Sequence, residues 1–320
     1  MQTHVPTNAD LSQQTALESG CGIVSWDRSA IVQHSGPDAL DLLHRLTTKE
    51  LLSVPLGQAA RTTLASVKGR VVDVFLVAHV SENQLLLISD SSDSERLVSA
   101  IDYYTIIEDA ELVDLTETHD RISLIGPSAR SVVESALDVA VKDDAATITS
   151  FASGSVTVIS DTSRTVEWFD VIAENGATDQ LMQTFETAGA VAVDHDNYEL
   201  FRIDHEIPGS DHEYGEHANP IEAGLLPLID WDKGCYVGQE VVARLDAYDK
   251  VQRNVKVLKS ATPLTDGAKL TSSDKPAGVV TSTSNFATED GTYLSLALVR
   301  VAFIDPGNAI DAEGTPATVR

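Results

Sequence analysis

The chain has 320 residues, and because single cores stop growing near roughly 250 to 300 residues, two or three domains are expected. Forty-nine acidic residues stand against 22 basic ones, a formal charge of -27, yet 42% of the residues are hydrophobic, which excludes a disordered acidic chain. No basic stripe is present to displace counterions from phosphates, which argues against nucleic-acid binding, and two cysteines, Cys21 and Cys235, fit a reducing cytoplasm better than a secreted disulfide scaffold.

An acidic globule repels itself at low salt. The composition therefore points to a salt-adapted protein, since the Debye length falls to roughly 3 Å in molar salt; an ordinary acidic cytoplasmic protein is the alternative. The N-terminal stretch MQTHVPTNADLSQQTA lacks a basic start and an apolar run, and does not read as a signal peptide. The most apolar run, VVDVFLVAHV at 71–80, is ten residues long and carries Asp73 and His79, too short and too polar to span a bilayer.

In chain order, IVQHSGPDALDLLHRL (31–46) and RISLIGPSARSVVESAL (121–137) read as two related units: a short strand, Gly-Pro, then an amphipathic helix. Ala39, Leu42, Leu43 and Leu46 in the first, and Ala129, Val132, Val133 and Ala136 in the second, recur at i, i+3, i+4 and i+7. Pro37 and Pro127 suit a first helical turn, where no N–H is needed. Between the units lie strands at 62–65, 71–80 and 84–88 and a helix from about Ser92; after them come strands SVTVIS and TVEWFDVIA and a helix at 178–188. The alternation lacks strict βαβ regularity, so an antiparallel α+β arrangement is expected rather than a doubly wound sheet. From Val255 onward, NVKVLK, AGVVTSTS and LSLALVRVAF are separated by turn-rich segments and suggest a small β-barrel or sandwich, with a boundary between Ala247 and Arg253.

HEIPGSDHEYGEH invites a metal assignment, but His212 and His217 are five residues apart and Gly215 interrupts any helix, so a polar loop is preferred and no metal site is expected. No P-loop, dinucleotide fingerprint or nucleophile-elbow serine is present. In SVKGRVVDVFLV, Lys68 and Arg70 flank a glycine at the mouth of an apolar strand, and Asp73 within it either points into a pocket or interrupts a solvent face. In PIEAGLLPLIDWDKGCYVGQEVVARL, Glu222 precedes an apolar run where a carboxylate needs a partner. Gly234 and Gly238 bracket Cys235 and Tyr236, permitting a sharp turn, and GQEVVARL reads as a helix start. Lys233 and that helix start would both lower a thiol pKa; read locally, Cys235 is either reactive or a small structural residue.

KGCYVGQEVVAR resembles the signature of the YgfZ-type folate-binding proteins, relatives of the glycine-cleavage T-protein, the aminomethyltransferase. GPDALDLLHRLTT, VKGRVVDVFLV, SLIGPSARSVV, FRIDHEIP and NPIEAGLLP resemble further family blocks in the same order. The resemblance implies a T-protein-like fold of three lobes around a folate channel, with 1–248 a discontinuous folate-binding region of two α+β lobes and 249–320 a C-terminal β-barrel. It implies tetrahydrofolate or a one-carbon derivative as ligand, a role supporting iron-sulfur enzymes or their assembly proteins, and Cys235 as the important thiol, with Lys233, Gln239 and Glu240 around it. The alternative is a folate-dependent aminomethyltransferase acting with a lipoyl carrier protein, with Asp73 as the carboxylate that handles the folate nitrogens. Against that alternative, the T-protein block carries paired aspartates and an upstream tyrosine, whereas here Val74 follows Asp73 and Arg61 stands in the tyrosine's place; Tyr198 replaces an arginine and Arg202 matches the next one. An anionic folate tail on so acidic a protein needs short-range cations, for which Lys68, Arg70, Arg202, Lys233 and Arg244 are candidates, with Glu222 as acceptor for pterin amino groups.

Overall fold

The computed structural model describes residues 9–248 and 250–320. Residues 1–8 of the stretch read as carrying no signal peptide, and Asp249 at the expected domain boundary, lie outside the described residues.

The chain opens with α1 (Leu11–Ser19), capped by Asp10, whose side chain accepts from the N–H groups of Ser12 and Gln13. β1 (Gly22–Ser25), β2 (Ile31–Ser35) and α2 (Ala39–Leu46) follow, then the meander β3 (Ala59–Ala65), β4 (Val71–Ser81) and β5 (Gln84–Ser89). Next come α3 (Ser94–Asp102), β6 (Glu111–Asp114), β7 (His119–Ile125), α4 (Ala129–Leu137), β8 (Ala146–Phe151), β9 (Gly154–Ser160), β10 (Trp168–Glu174), α5 (Thr178–Thr187), β11 (Val191–Ala192) and α6 (His195–Asp204). After α7 (Gln239–Ala247), β12 (Arg253–Ser260), β13 (Lys269–Ser272), β14 (Lys275–Ala287), β15 (Tyr293–Arg300), β16 (Ala309–Ala312) and β17 (Thr315–Val319) complete the chain.

The two strand-helix units are β2–α2 and β7–α4. Their prolines do not enter the helix: each lies in the turn one residue before the cap, Asp38 or Ser128. The glycine ahead of each proline is the constrained residue. Gly36 has φ +125°, and a Cβ there would lie 2.1 Å from the Asp109 carbonyl oxygen; Gly126 has φ +117°, and its Cβ would lie 2.7 Å from the Gly20 carbonyl oxygen.

Two sheets pack face to face with helices outside. The first, in the order β11-β1-β7-β10-β9-β8, is covered by α4 and α5 over Ile23, Leu124, Val133, Phe169 and Phe185. The second, β3-β4-β5-β2-β6, is covered by α2 and α3 over Leu42, Leu43, Phe75, Leu97 and Ile101. Ile31, Leu76 and Ile88 of the second meet Ile159 and Ile172 of the first between the sheets. All strand pairs are antiparallel apart from β1 with β11, as the α+β expectation required. The third lobe is a closed barrel, β12-β15-β14-β13-β16-β17. The segment LSLALVRVAF, read as one strand, ends as β15 at Arg300, and Val301–Phe303 turns in a 3-10 helix. α6, unread from the sequence, joins the lobes: Leu200 and Ile203 pack on Phe286 and Leu296 of the barrel, while Tyr198 and Phe201 pack on Trp168 of the first sheet. No helix of the described residues is long and apolar enough to cross a membrane.

Candidate functional site

Where the lobes converge, strand ends deliver charge into a buried cleft. Arg61 on β3 donates through Nε to Asp161 Oδ2 at 2.7 Å and through Nη1 to Asp90 Oδ2 at 2.7 Å. Arg121 on β7 grips Asp170 of β10 with two bonds of 2.8 and 3.0 Å and reaches Asp90 Oδ1 at 3.4 Å. Arg164 donates to both Asp90 oxygens at 2.9 Å. Burial alone would raise the Asp90 carboxyl, but the guanidiniums of Arg164, Arg61 and Arg121 outweigh it and hold that carboxyl well below the usual range. Burial opposes the charge of Arg61 too, and Asp161 and Asp90 overcome it.

This network lies against two adjoining chambers of about 300 and about 110 Å³, which share Asp90, Arg164, Ile207 and Pro208. The larger has an aromatic side, Trp26 and Tyr198, packed edge to face at 5.0 Å, with the Arg121 guanidinium 5.2 Å from the Trp26 ring. Glu199 and Arg202 of α6 also line it. The smaller is bounded by Arg61, Arg164, Tyr214 and the apolar Leu225 and Leu228. Together they offer aromatic and apolar walls beside fixed donors and carboxylates, a lining suited to a heteroaromatic ligand with a polar edge.

The expected site residues divide among four places. Asp73 is wholly buried in β4 and lines neither chamber; its Oδ1 accepts from Ser89 Oγ at 2.7 Å and from the Val74 N–H at 2.8 Å, while Oδ2 has no partner. Burial raises its carboxyl to about 7, against the hydrogen bond from Ser89. Arg202 lines the larger chamber and is held in a buried network by Glu199, Glu213 and Ser282. Glu222 faces the barrel: it accepts from Arg253 at 3.1 and 3.2 Å and from Arg70 at 3.4 Å, and it lines neither chamber.

The fourth place is the surface around Cys235, which is exposed. Here the expectation for Lys233 as a free cation is corrected. Its ammonium is buried and donates to the carbonyls of His44, Thr47 and Lys49 at 2.6, 2.6 and 2.8 Å, closing the C-terminal end of α2 and the turn that follows it. All three N–H groups are thereby occupied. The turn at 66–70, carrying exposed Lys68, packs on the start of α7: Gly238 has φ +82°, and a Cβ there would lie 2.4 Å from the Ser66 carbonyl oxygen. Gln239 and Glu240 form the first turn of α7, half-buried and exposed, and Arg244 is exposed about one helical turn further on.

The loop with His205, His212 and His217 does not converge: His205 Nε2 meets Glu18 at 2.8 Å, His212 meets the Thr281 carbonyl and His217 the His212 carbonyl. Glu18, Asp204 and His205 do bring ligand atoms within 4.8 Å of one another, but His205 is engaged with Glu18, and Asp204 with Arg320. Asp90, Arg121, Asp161, Arg164 and Asp170 were not singled out from the sequence. Arg121 in RISLI and Asp170 in WFDVIA carried the signal that marked Asp73, a charge inside an apolar strand; Asp90, Asp161 and Arg164 sit in polar turns with no such contrast.

A family model described as the GCVT N-terminal domain matches residues 9–233. A protein of Arabidopsis thaliana described as a chloroplastic transferase is 25% identical over 308 residues, 92% of this chain and 69% of its own length. The aminomethyltransferase of Herpetosiphon aurantiacus is 22% identical over 313 residues, 94% of this chain and 84% of its own. Among solved structures, the glycine cleavage system aminomethyltransferase T from Bartonella henselae superposes with a TM-score of 0.81 at 16% identity, covering 97% of this chain and 88% of that one.

Proposed function

The chain belongs to the GCVT N-terminal domain family, and from that premise we propose that it is a YgfZ-type, tetrahydrofolate-binding accessory protein that supports iron-sulfur enzymes through the Cys235 thiol. The observation that carries the folate part is the paired chamber. Trp26 and Tyr198 suit a pterin face, Glu199 can accept from its amino groups, and Arg28 at the rim can meet the carboxylates of the tail. Glu222 and Lys233, which line neither chamber, are left out of this assignment. The division of labour is spatial: ligand in the chamber formed by residues of the 1–248 region, thiol on an outer turn stiffened by Lys233 and Gly238, and the 249–320 barrel closing the cleft through Glu213, which holds Arg202 and Ser282 together. One cysteine cannot itself hold a cluster, so Cys235 is assigned exchange or transient ligation with a client's iron or sulfur. The two free cysteines, one buried and one exposed, favour a reducing compartment, taken as the cytoplasm, and the net charge favours high salt.

Two measurements test this. Tetrahydrofolate in molar KCl should raise Tm, about 2.7 kcal/mol of linkage at a hundredfold excess over Kd, and Glu199→Gln should shrink the rise. In cells lacking the native copy, Cys235→Ser should fold normally yet fail to restore iron-sulfur enzyme activity; full restoration removes the thiol from the proposal. A second reading, aminomethyl transfer with a lipoyl carrier protein, is favoured by the relatives named aminomethyltransferases. Tetrahydrofolate-dependent ammonia release from an aminomethyl-lipoyl donor, lost in Asp73→Asn, would establish it.

A further inference from the structure

The smaller chamber carries polar atoms that the folded chain leaves unsatisfied. Arg61 Nη2 and Tyr214 Oη are buried without partners, on residues only 3% and 1% exposed. Arg164 Nε lies 3.5 Å from Asp161 Oδ2 and makes no hydrogen bond. All three residues line this chamber of about 110 Å³. An unmade hydrogen bond at a buried group is costly and uncommon in native proteins, so three around one small cavity mark a place where a ligand atom belongs.

The character of that atom follows from the donors. Each unsatisfied atom carries a hydrogen, and burial pushes the Tyr214 phenol well above its ordinary value, so the hydroxyl remains protonated. The missing partner is therefore an acceptor. Charge then separates the possible acceptors. Arg61, Arg121 and Arg164 are already matched by Asp90, Asp161 and Asp170, so a further anion would be buried without compensation, whereas a neutral carbonyl oxygen would satisfy the donors without adding charge. The aromatic side of the larger chamber takes a ring, and the smaller one has room for a substituent of a few atoms.

Resting on the folate reading above, we propose that the inner chamber receives the oxygen of a formyl group carried by the folate, so that the chain selects formyl-substituted tetrahydrofolate over the unsubstituted and methyl forms. A methyl group offers no acceptor, and neither does a cationic aminomethyl or methylene-iminium carbon.

The test is calorimetric titration of the full chain in molar KCl with tetrahydrofolate and its 5-methyl, 5-formyl and 10-formyl forms. One formyl form should bind at least ten times more tightly than the methyl form. Tyr214→Phe removes a hydroxyl that has no partner, so Tm should be unchanged or higher, and it should erase most of the formyl preference. Equal binding of the methyl and both formyl forms would overturn the inference while the folate reading stands. Tighter tetrahydrofolate binding on adding formate would also overturn it, by assigning the chamber to a free carboxylate. No binding of any folate would sink the folate reading and this inference with it.

Discussion

Asp73→Asn isolates the energetic consequence of burying a carboxyl in β4. In the folded chain burial holds the Asp73 proton up to about pH 7, against an ordinary value of 3.8. Between those values the native state binds more protons than the unfolded chain, so stability attributable to this group is fully present at low pH, falls as pH rises toward 7 and levels off above it. Each pH unit in that window is worth about 1.4 kcal/mol, or about 4 kcal/mol across it. Asparagine can keep both hydrogen bonds into Oδ1, from Ser89 and Val74, and places an amide nitrogen where Oδ2 now has no partner. It cannot ionise. Any constant cost of the amide moves the whole curve without changing its slope. With a pI near 4.4, the protein is charged and soluble from about pH 5.5 upward. Urea unfolding followed by tryptophan fluorescence in molar KCl should show the variant gaining about 2 kcal/mol on the wild type between about pH 5.5 and 7, then running parallel to it above about pH 8. Curves that stay parallel throughout would refute the placement of a proton on Asp73.

Four further substitutions probe the frame of the site. Asp90→Asn leaves three guanidiniums around a neutral amide and should lower the unfolding free energy by about 3 to 5 kcal/mol, measured by guanidinium chloride titration. Lys233→Met strips three carbonyls of their donor and should cost about 3 kcal/mol or more, whereas Cys235→Ser on the neighbouring exposed turn should stay within about 0.5 kcal/mol. Gly238→Ala forces a Cβ to 2.4 Å from the Ser66 carbonyl oxygen at φ +82°; a Tm drop corresponding to about 2 kcal/mol or more is expected, and a neutral result would mean that the 66–70 turn does not press on α7 as described.

Legibility in the sequence followed the range of the forces involved. The strand-helix units at 31–46 and 121–137 could be read because apolar spacing is a local property, and so could β4, β9, β10 and α7. α6 could not: Asn197, Tyr198, Leu200, Phe201, Arg202 and Ile203 are all buried between lobes, which blurs the one-sided pattern a surface helix shows. Lys233 and Glu222 looked like ligand groups because a charge beside an apolar run needs a partner. What the sequence could not say was that the partners are internal, three carbonyls at the end of α2 for one and two arginines for the other.

From the sequence alone came the acidic composition, the α+β alternation, the turn-rich C-terminal strands and the glycine-bracketed turn around Cys235, each a matter of composition or of neighbours within a few residues. The tertiary structure alone decided where charge converges. Asp90, Arg121, the Asp161–Arg164 turn and Asp170 come from four separate stretches of chain, and only sheet packing brings them within hydrogen-bonding distance around Arg61. Two guanidiniums with an unpartnered nitrogen and a tyrosine with an unpaired hydroxyl are likewise invisible in a string of residues. Hydrogen-bond satisfaction depends on contacts far apart in sequence, and those exist only once the lobes have closed.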